Sequence, residues 1–548
     1  MNAEFEKIVK EDSPWHDPSN TEWYLRDGAL REVIEADKKG LYEPPKIKFF
    51  LERDFFRQLI DNPDEYGVVI LRGPRRIGKT STLKYLIKEF LDRKIDPNYF
   101  VYLSLDRDEL FIKNGKKRFL RELIKTTIET YRKGDKPLII ILDEVTFYEG
   151  WARALKNLID EGVIGPGIGV IATGSYSLDL SSAKRELSGR FGPLGEKFSG
   201  DLFFFPRRFI EVAESSLGEE FKNFVARNFG KFGRRAGMIE YLTGAQTKSN
   251  NLRFNYEWIL NQLIDNYYDG LHDLFENIYT YTGGYPKSFY DAIISKREGE
   301  IRIDDARYRD DIYNLLITDS KKFDLSEDVL GSILQKIEFP SMQISEEHLA
   351  IQNVKKDEMQ KYIHYLRASG LFEFTPCISS PSQIDVKNLL VTPSREKMKL
   401  VVTDSAAFIS IYLCSRGITY DILEKSKTVI SENRKIRELL FESIVLSHLI
   451  RSPIIRRSPL IENVGYILFE EKEVVDALAW YVNWKNELIL LAIEAKSKGI
   501  KIKEIEEKSR ILREEFNIKR LIVVSNNKEI EINKDYIIIP MEVSLLFL

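Results

Sequence analysis

Short apolar runs alternate with amphipathic stretches over residues 46–206. The apolar runs are GVVILRG, FVYLSLD, PLIIILDE, IGVIATGS and DLFFFP. Runs this short and this apolar are typical of strands buried on both faces, and the stretches between them have the pattern of helices. The pattern therefore predicts an α/β domain with a mainly parallel sheet.

The rest of the chain divides into four further segments by the same criterion. Residues 1–45 form an N-terminal extension, and residues 207–322 have a charged, helical pattern that predicts a helical lid. Residues 323–428 predict three helices, the second over Ser345–Gln352, followed by an apolar strand, which is the order of a winged helix-turn-helix. Residues 429–548 predict a second α/β domain that ends in the strand IIIP.

Composition limits the classes of protein to consider. A chain of 548 residues is too long for one hydrophobic core, so about three or four domains are expected. The net charge is −3, from 82 Lys and Arg residues against 85 Asp and Glu, so any nucleic-acid binding has to use local basic patches. Two cysteines, Cys377 and Cys414, exclude a disulfide scaffold and a Cys₄ zinc site. The start of the chain lacks the pattern of a signal peptide and no long apolar stretch follows, so we expect a soluble, cytoplasmic protein.

A phosphate-binding motif follows the first apolar run. Residues Gly73–Thr80 read GPRRIGKT, which fits G-x-x-x-x-G-K-[ST], and an amphipathic helix follows at once. The glycines let backbone N–H groups curl around phosphate oxygens, and the helix N-terminus adds partial positive charge. Lys79 is expected to reach the β and γ phosphates and Thr80 to bind Mg²⁺ through its hydroxyl. The alternative is a simple glycine-rich turn.

An acidic pair ends the third apolar run. Asp143 and Glu144 follow PLIIIL, which places both carboxylates at the carboxyl edge of the predicted sheet, beside the phosphate loop. Asp143 is expected to hold Mg²⁺ through water, and Glu144 to orient and activate the attacking water. The alternative is a pair of solvated acids at the end of a strand that have no role beside the phosphate loop.

Three further residues are candidates for sensing or stabilising the γ-phosphate. Thr173 and Ser175 follow the fourth apolar run, where a hydroxyl is well placed for contact with phosphate, although an ordinary turn has the same composition. Arg190 lies on a loop in ELSGRFG, and an arginine there can stabilise phosphoryl charge in its own subunit or a neighbouring one. A solvated surface arginine is the alternative.

These motifs together resemble the archaeal-type ATPase family of the AAA+-related P-loop enzymes. The resemblance rests on GPRRIGKTS, ILDEV, TGSYSLDL, SGRFGP and FFFPRRFIEV, with the GGYP turn at Gly283–Pro286 extending it into the lid. It implies ATP and Mg²⁺ as ligands, a winged-helix domain and, in many members, a C-terminal domain of restriction-endonuclease type. It also implies nucleotide contacts from Gly73, Pro74, Arg75, Arg76, Ile77, Gly78, Lys79, Thr80 and Ser81, catalytic roles for Asp143 and Glu144, and a sensor at Thr173 or Ser175.

A second candidate site lies in the last domain. Asp476 falls on one predicted strand, and Glu494 and Lys496 share one face of the next, which resembles the PD-(D/E)xK nuclease core. Glu442, on the helix before them, matches another acid of that fold, whereas Val475 stands where proline is usual. In such a site carboxylates bind Mg²⁺ or Mn²⁺ and the lysine steadies developing charge. A degenerate domain that binds without cutting is the alternative.

Two basic segments are candidates for contact with DNA. The third helix of the predicted winged helix carries Lys355, Lys356, Lys361 and Arg367, interleaved with Tyr362 and Tyr365. The run 434–457 adds six basic residues next to the candidate nuclease helix. For both segments the alternative to DNA contact is a solvated surface, or a surface that packs against another part of the chain.

The sequence leaves three functions open. The first is an Mg²⁺-dependent ATPase whose nucleotide state repositions the C-terminal domains on DNA during processing or repair, with movement around the GGYP turn as the coupling step. The second is a nucleotide-dependent switch that binds protein or DNA without cleavage, and the third is an ATP-regulated nuclease. A homo-oligomeric ring and a monomer are both compatible with the sequence.

Overall fold

A computed structural model describes most of the chain in two compact units. The described residues are 2–17, 28–38, 45–106, 116–174, 183–230, 232–245, 255–297, 306–337, 341–344, 351, 354–417, 430, 432–455, 463–497 and 499–548. Ser175, most of the predicted helix at 345–352, Arg456 and Arg457 lie outside them. Unit 1 comprises Met1–Phe205 with Ala368–Gly370, and unit 2 comprises Pro206–Arg367 with Leu371–Leu548. Over the described residues, no helix combines the length and the apolar character needed to cross a bilayer.

Unit 1 is built on a five-stranded parallel sheet, as the apolar runs predict. The strand order is β2-β3-β4-β1-β5. The strands are β1 (Gly67–Arg72), β2 (Phe100–Ser104), β3 (Leu138–Asp143), β4 (Ile168–Thr173) and β5 (Asp201–Phe203). Of the three inner strands, β3 and β4 are buried along their whole length and β1 is buried except for its last residue, which explains their unbroken apolar sequences.

Helices cover this sheet and connect its strands. Both β1 and β3 are followed directly by loops that lead into helices, so the loop residues gather at the carboxyl edge of the sheet. The helices of unit 1 are α1 (Asn2–Asp12), α2 (Gly28–Lys38), α3 (Lys46–Leu51), α4 (Arg57–Asp61), α5 (Lys79–Asp92), α6 (Lys116–Tyr131), α7 (Trp151–Asp160) and α8 (Gly192–Glu196).

The N-terminal extension packs along the edge strand β2. Ser13 Oγ donates to the carbonyl of Tyr102 at 3.0 Å and accepts from its N–H at 2.8 Å. Trp15 Nε1 donates to the carbonyl of Phe100, and Asp12 accepts from the N–H of Ser104. Side chains thus satisfy the backbone groups that a sixth strand would otherwise pair, which protects the edge of the sheet.

Unit 2 begins with the helical segment predicted as a lid. Its helices continue through the predicted winged helix to the end of the chain. They are α9 (Phe209–Ser216), α10 (Gly218–Phe229), α11 (Phe232–Leu242), α12 (Tyr256–Asn266), α13 (Tyr268–Leu274), α14 (Thr280–Thr282), α15 (Pro286–Arg297), α16 (Ala306–Ser320), α17 (Glu327–Lys336), α18 (Lys356–Ala368), α19 (Ser405–Cys414), α20 (Arg434–Arg451), α21 (Ile502–Glu514) and α22 (Met541–Ser544).

A nine-stranded sheet runs through both segments that the sequence analysis separates at residue 428. Its order is β15-β16-β14-β13-β12-β11-β7-β10-β6, and a small hairpin of β8 and β9 stands apart. The strands are β6 (Ser341–Ile344), β7 (Phe372–Ile378), β8 (Ile384–Asp385), β9 (Leu390–Val391), β10 (Ser394–Val402), β11 (Val464–Phe469), β12 (Lys472–Val482), β13 (Leu488–Lys496), β14 (Leu521–Ser525), β15 (Glu531–Ile532) and β16 (Tyr536–Pro540).

The junction within this sheet is the pairing of β7 with β11. These strands run parallel, with Tyr466 opposite Cys377 and Ile467 opposite Ile378. One continuous ladder therefore joins the two segments on either side of residue 428. The predicted order of helix, hairpin, helix and strand is present after residue 429, as α20, β12–β13, α21 and β14.

The GGYP turn is held within unit 2 by hydrogen bonds and close packing. Asp404 accepts the N–H of Gly284 at 2.8 Å, and a Cβ at Gly283 would lie 1.9 Å from the carboxylate of Asp404. The carbonyl of Gly284 accepts the N–H of Arg207, and Tyr285 is fully buried. Movement around this turn as the coupling step stays a prediction.

Candidate functional site

The phosphate loop connects β1 to α5 through backbone conformations that suit its sequence. Gly78 has φ +92° and immediately precedes Lys79, the first residue of α5. A Cβ at Gly73 would lie 2.4 Å from the carbonyl oxygen of Phe204, so only glycine fits there. The loop therefore points the N-terminus of a 14-residue helix at the carboxyl edge of the sheet, a geometry that favours bound anions.

Lys79 is enclosed by this loop. Its ammonium donates to the carbonyls of Gly73 and Pro74, each at 2.9 Å, and the residue is buried. Burial lowers the pKa of the Lys79 ammonium to about 8, although Glu144 and Asp143 act in the opposite direction. Lys79 is thus placed at the centre of the loop with its charge available to an incoming anion.

Asp143 and Thr80 meet in front of the loop, as the motifs predict. The hydroxyl of Thr80 donates to Asp143 Oδ2 at 2.6 Å. The same carboxylate oxygen accepts from the hydroxyl of Tyr102, on β2. Tyr102 was not predicted from the sequence, because its role depends on the pairing of β2 with β3, which aligns Ser104 with Asp143.

Glu144 lies one residue beyond the end of β3 in an unusual backbone conformation. Its φ is +54°, in the left-handed region that non-glycine residues rarely occupy, and its N–H donates to Asp143 Oδ1 at 3.0 Å. Such conformations persist where the surrounding structure enforces them, and they are common at functional sites. The charge of Glu144 raises the pKa of Lys79, against the larger effect of burial.

Thr173 ends β4, the strand between β1 and β3. Its register partner on β1 is Leu71, directly before the loop. Thr173 is fully buried, and its hydroxyl has no hydrogen-bond partner among the described residues. A buried hydroxyl without a partner at this edge is consistent with the predicted contact to a phosphate oxygen.

Arg190 is not brought to this site. It follows the Leu187 turn and precedes Phe191, whose carbonyl accepts the N–H of Val68 at the start of β1. Its side chain pairs with Asp160, at the end of α7, at 2.7 Å. Arg190 therefore lies at the amino edge of the sheet, opposite the phosphate loop, so it cannot act on phosphate bound in its own subunit. A role in a neighbouring subunit stays a prediction.

The remaining loop residues differ in exposure. Arg75 and Ser81 are half-buried, Arg76 is exposed, and Ile77 is buried against the core. Arg76 has φ +64°, so the loop turns at this residue. The side chain of Ile77 anchors the loop to the core. The nucleotide contacts predicted for the neighbouring residues rest on their backbone N–H groups.

The acids of the last segment gather on one face of the nine-stranded sheet. The register that pairs Ala477 with Ile493 places Asp476 opposite Glu494 on the neighbouring strand. Asp476 Oδ2 accepts the N–H of Ala495 at 2.6 Å. Glu494 is buried, and its Oε1 accepts from Lys496 at 2.7 Å and from Lys508 at 2.6 Å. Asp476, Glu494 and Lys496 therefore lie close together in the structure, as their spacing in the sequence predicts.

Glu442 also reaches this face, with two residues that the sequence analysis missed. Glu442, Glu473 and Asp476 each offer a carboxylate oxygen within 4.8 Å of the others. Lys399, on β10, forms ion pairs with Glu442 and Glu473. No local pattern identifies Lys399, because it lies on the far side of the predicted domain boundary.

The structure changes the interpretation of the tyrosines in the winged-helix segment. Tyr362 and Tyr365 on α18 are buried. The hydroxyl of Tyr362 accepts the N–H of Ser326, and the hydroxyl of Tyr365 donates to the carbonyl of Leu316, so both are core residues and do not face a ligand. Lys355, Lys356 and Lys361 are exposed, together with acidic neighbours.

The basic run on α20 is largely engaged in intramolecular contacts. Arg437 pairs with Glu276 at 2.9 Å, and Arg434 pairs with Glu438. Arg451 is buried and donates to the carbonyl of Pro206. The described part of this run therefore stabilises unit 2 and offers little free charge for a phosphate backbone.

Comparison with known proteins gives a family match over the segment that contains the phosphate loop. Residues 65–211 match the protein family described as AAA domain. This part of the chain also contains the phosphate loop, the acidic strand end and the five-stranded parallel sheet, and these features together with the family match support a P-loop ATPase domain of AAA type.

The individual relatives add little beyond this class. The uncharacterized protein MJ1637 of Methanocaldococcus jannaschii is 31% identical over 144 residues, which cover 25% of this chain and 28% of the relative. The Aeropyrum pernix ORC2 protein superposes with a TM-score of 0.35 and 13% identity, covering 70% of this chain and 96% of that structure. The Aeropyrum pernix ORC1 protein in complex with DNA gives 0.32 and 10%, covering 70% and 95%. These TM-scores are too low to indicate a shared overall architecture.

Proposed function

We propose that the protein is an Mg²⁺-dependent ATPase whose nucleotide state repositions its C-terminal segment on DNA. The observation that carries the catalytic part is the meeting of Lys79, Thr80 and Asp143 at the N-terminus of α5. The oxygen donors of Thr80 and Asp143 fit Mg²⁺, which prefers hydroxyl, carboxylate and water ligands. Bound Mg²⁺ neutralises charge on the β and γ phosphates during transfer.

Residues of the chain supply the remaining chemistry. Backbone N–H groups of the loop and the ammonium of Lys79 hold the phosphates, and the hydroxyl of Thr173 is available to the γ-phosphate. Tyr102 keeps the carboxylate of Asp143 oriented. Glu144, beside Asp143, accepts a proton from the attacking water.

The catalytic assignment is tested by Glu144→Gln. The variant is expected to bind ATP as the parent does and to lose nearly all turnover, because the amide cannot accept the proton. Phosphate release reports turnover, and fluorescent-nucleotide titration reports binding. The matched control is Glu149→Gln, which changes an exposed acid on the same loop. Undiminished hydrolysis in the Glu144 variant would overturn the assignment.

The DNA-dependent part of the proposal needs a separate experiment. The exposed lysines at 355, 356 and 361 support it, although the acidic side chains of Asp357 and Glu358 lie beside them. ATPase rate and molecular mass are measured with and without DNA ends, forks and junctions. Stimulation by one of these structures supports coupling. Very slow turnover with no response to DNA favours a nucleotide-dependent switch instead.

A second candidate function is an ATP-regulated nuclease. Its support is the placement of Asp476 opposite Glu494 with Lys496 nearby, together with a buried Glu494 Oε2 that has no hydrogen-bond partner among the described residues. These carboxylates fit Mg²⁺ or Mn²⁺. Metal-dependent cleavage of DNA that disappears in Asp476→Ala supports this function, and absence of cleavage under all conditions contradicts it.

A further inference from the structure

Three carboxylates of unit 2 meet in a largely enclosed position. Glu442 comes from α20, and Glu473 and Asp476 come from β12, with oxygens within 4.8 Å of one another. Carboxylates this close repel one another, and burial adds a desolvation cost, so the arrangement is stable only if an acid is protonated or a cation lies beside the acids. Burial raises the pKa of Glu442, although Lys399 acts in the opposite direction.

The cation at this position is part of the chain. Lys399 is 2% exposed, and its ammonium donates to Glu442, Glu473 and the backbone carbonyl of Asp476. An ammonium has three donors, so these three acceptors satisfy it fully. Burial opposes its charge, but the surrounding carboxylates outweigh burial and raise the pKa of Lys399 above its usual value. The ammonium therefore stays charged at neutral pH.

The Lys399 ammonium occupies the position that a divalent ion would need. Any ion bound to oxygens of all three acids would lie within their 4.8 Å triangle, and the Lys399 nitrogen already contacts two of them. Two cations cannot share so small a space in a region of low dielectric.

We propose that Lys399 is a built-in cation that excludes divalent metal from the position between Glu442, Glu473 and Asp476. The inference concerns this side of Asp476 only. The side facing Glu494, which the nuclease candidate uses, is separate, so the inference does not depend on that function or on ATP hydrolysis.

The test is the number of Mn²⁺ ions bound by the full chain with Lys399 replaced by Met. All proteins carry Asp143→Asn and are free of nucleotide, so that the phosphate loop does not contribute. Equilibrium dialysis and electron paramagnetic resonance count the ions. The Lys399→Met protein is expected to bind one ion more than the parent, and adding Glu442→Gln is expected to remove that ion.

The matched control is Lys399→Arg, which keeps the positive charge and is expected to bind no additional Mn²⁺. If Lys399→Met unfolds in metal-free buffer, Mn²⁺ is expected to restore its melting transition, and failure to restore it overturns the proposal. The proposal is also overturned if folded Lys399→Met gains no ion. Loss of a bound Mn²⁺ when Glu442→Gln is introduced with Lys399 intact would overturn it as well.

Discussion

Lys79 is buried in the phosphate loop, yet nucleotide binding requires its positive charge. Its pKa of about 8 means that the free protein begins to lose this charge just above neutral pH. Bound phosphate favours the protonated form, so binding above pH 8 has to be accompanied by uptake of a proton.

We therefore predict that the affinity for ATP falls as pH rises through about 8. The expected decrease is roughly fivefold between pH 8 and pH 9, since the protonated fraction of a group with this pKa falls by that factor. Titration with a fluorescent ATP analogue measures it. In Lys79→Arg the guanidinium keeps its charge, so the affinity, although weaker, is expected to be constant over this interval. An equal slope in both proteins would contradict the prediction.

At the scale of single elements, the N-terminal extension protects β2 by side-chain hydrogen bonds. Ser13 alone satisfies both the N–H and the carbonyl of Tyr102, the residue that also contacts Asp143. The stability of the edge strand and the orientation of a site residue therefore depend on a segment outside the predicted ATPase core.

Ser13→Ala is expected to lower the melting temperature by several degrees. It leaves two buried backbone groups of Tyr102 without partners, at a cost of about 1–3 kcal/mol. In a unit of this size each kcal/mol corresponds to about 2–4 °C. Differential scanning calorimetry measures the change, with the exposed Ser188→Ala as control. An unchanged melting temperature would show that the extension is not needed for the fold of the edge strand.

At the scale of the whole molecule, the chain's last helix is tied to the helical segment that opens unit 2. His272 on α13 pairs with the fully buried Glu542 on α22. The hydrogen bond that the imidazolium of His272 donates to Glu542 raises the pKa of His272, against a smaller effect of burial. Since the pKa is higher in the folded state, the stabilisation is complete below the unfolded value of 6.5 and is lost as pH rises through the folded value.

The stability of unit 2 is therefore expected to decrease as pH rises above 6.5 and through the raised pKa of His272. His272→Gln should remove much of this decrease, whereas His364→Gln, which changes an exposed histidine on α18, should leave it unchanged. Thermal unfolding at a series of pH values provides the comparison. A pH dependence that is identical in all three proteins would exclude the His272–Glu542 pair as its source.

Site residues within a continuous motif were predictable from the sequence, whereas residues that meet only through the pairing of distant strands were not. Gly73–Thr80 and Asp143 were predictable because each motif is continuous and ends a recognisable strand. Tyr102 and Lys399 were not, because their contacts depend on which strands become neighbours. The β7–β11 pairing joins two predicted domains and brings Lys399 to Glu442. No local periodicity encodes this pairing, because the paired residues Cys377 and Tyr466 are 89 positions apart.

The continuous nine-stranded ladder also governs how this half of the protein can be divided. Cleavage between β10 and β11 would leave β7 and β11 each with an unpaired edge, and would separate Lys399 from the acids it neutralises. Exposed edges of this kind promote aggregation. The segments before and after residue 428 should therefore be inherited, expressed and unfolded as one cooperative module, so shuffling either of them into another protein alone would fail.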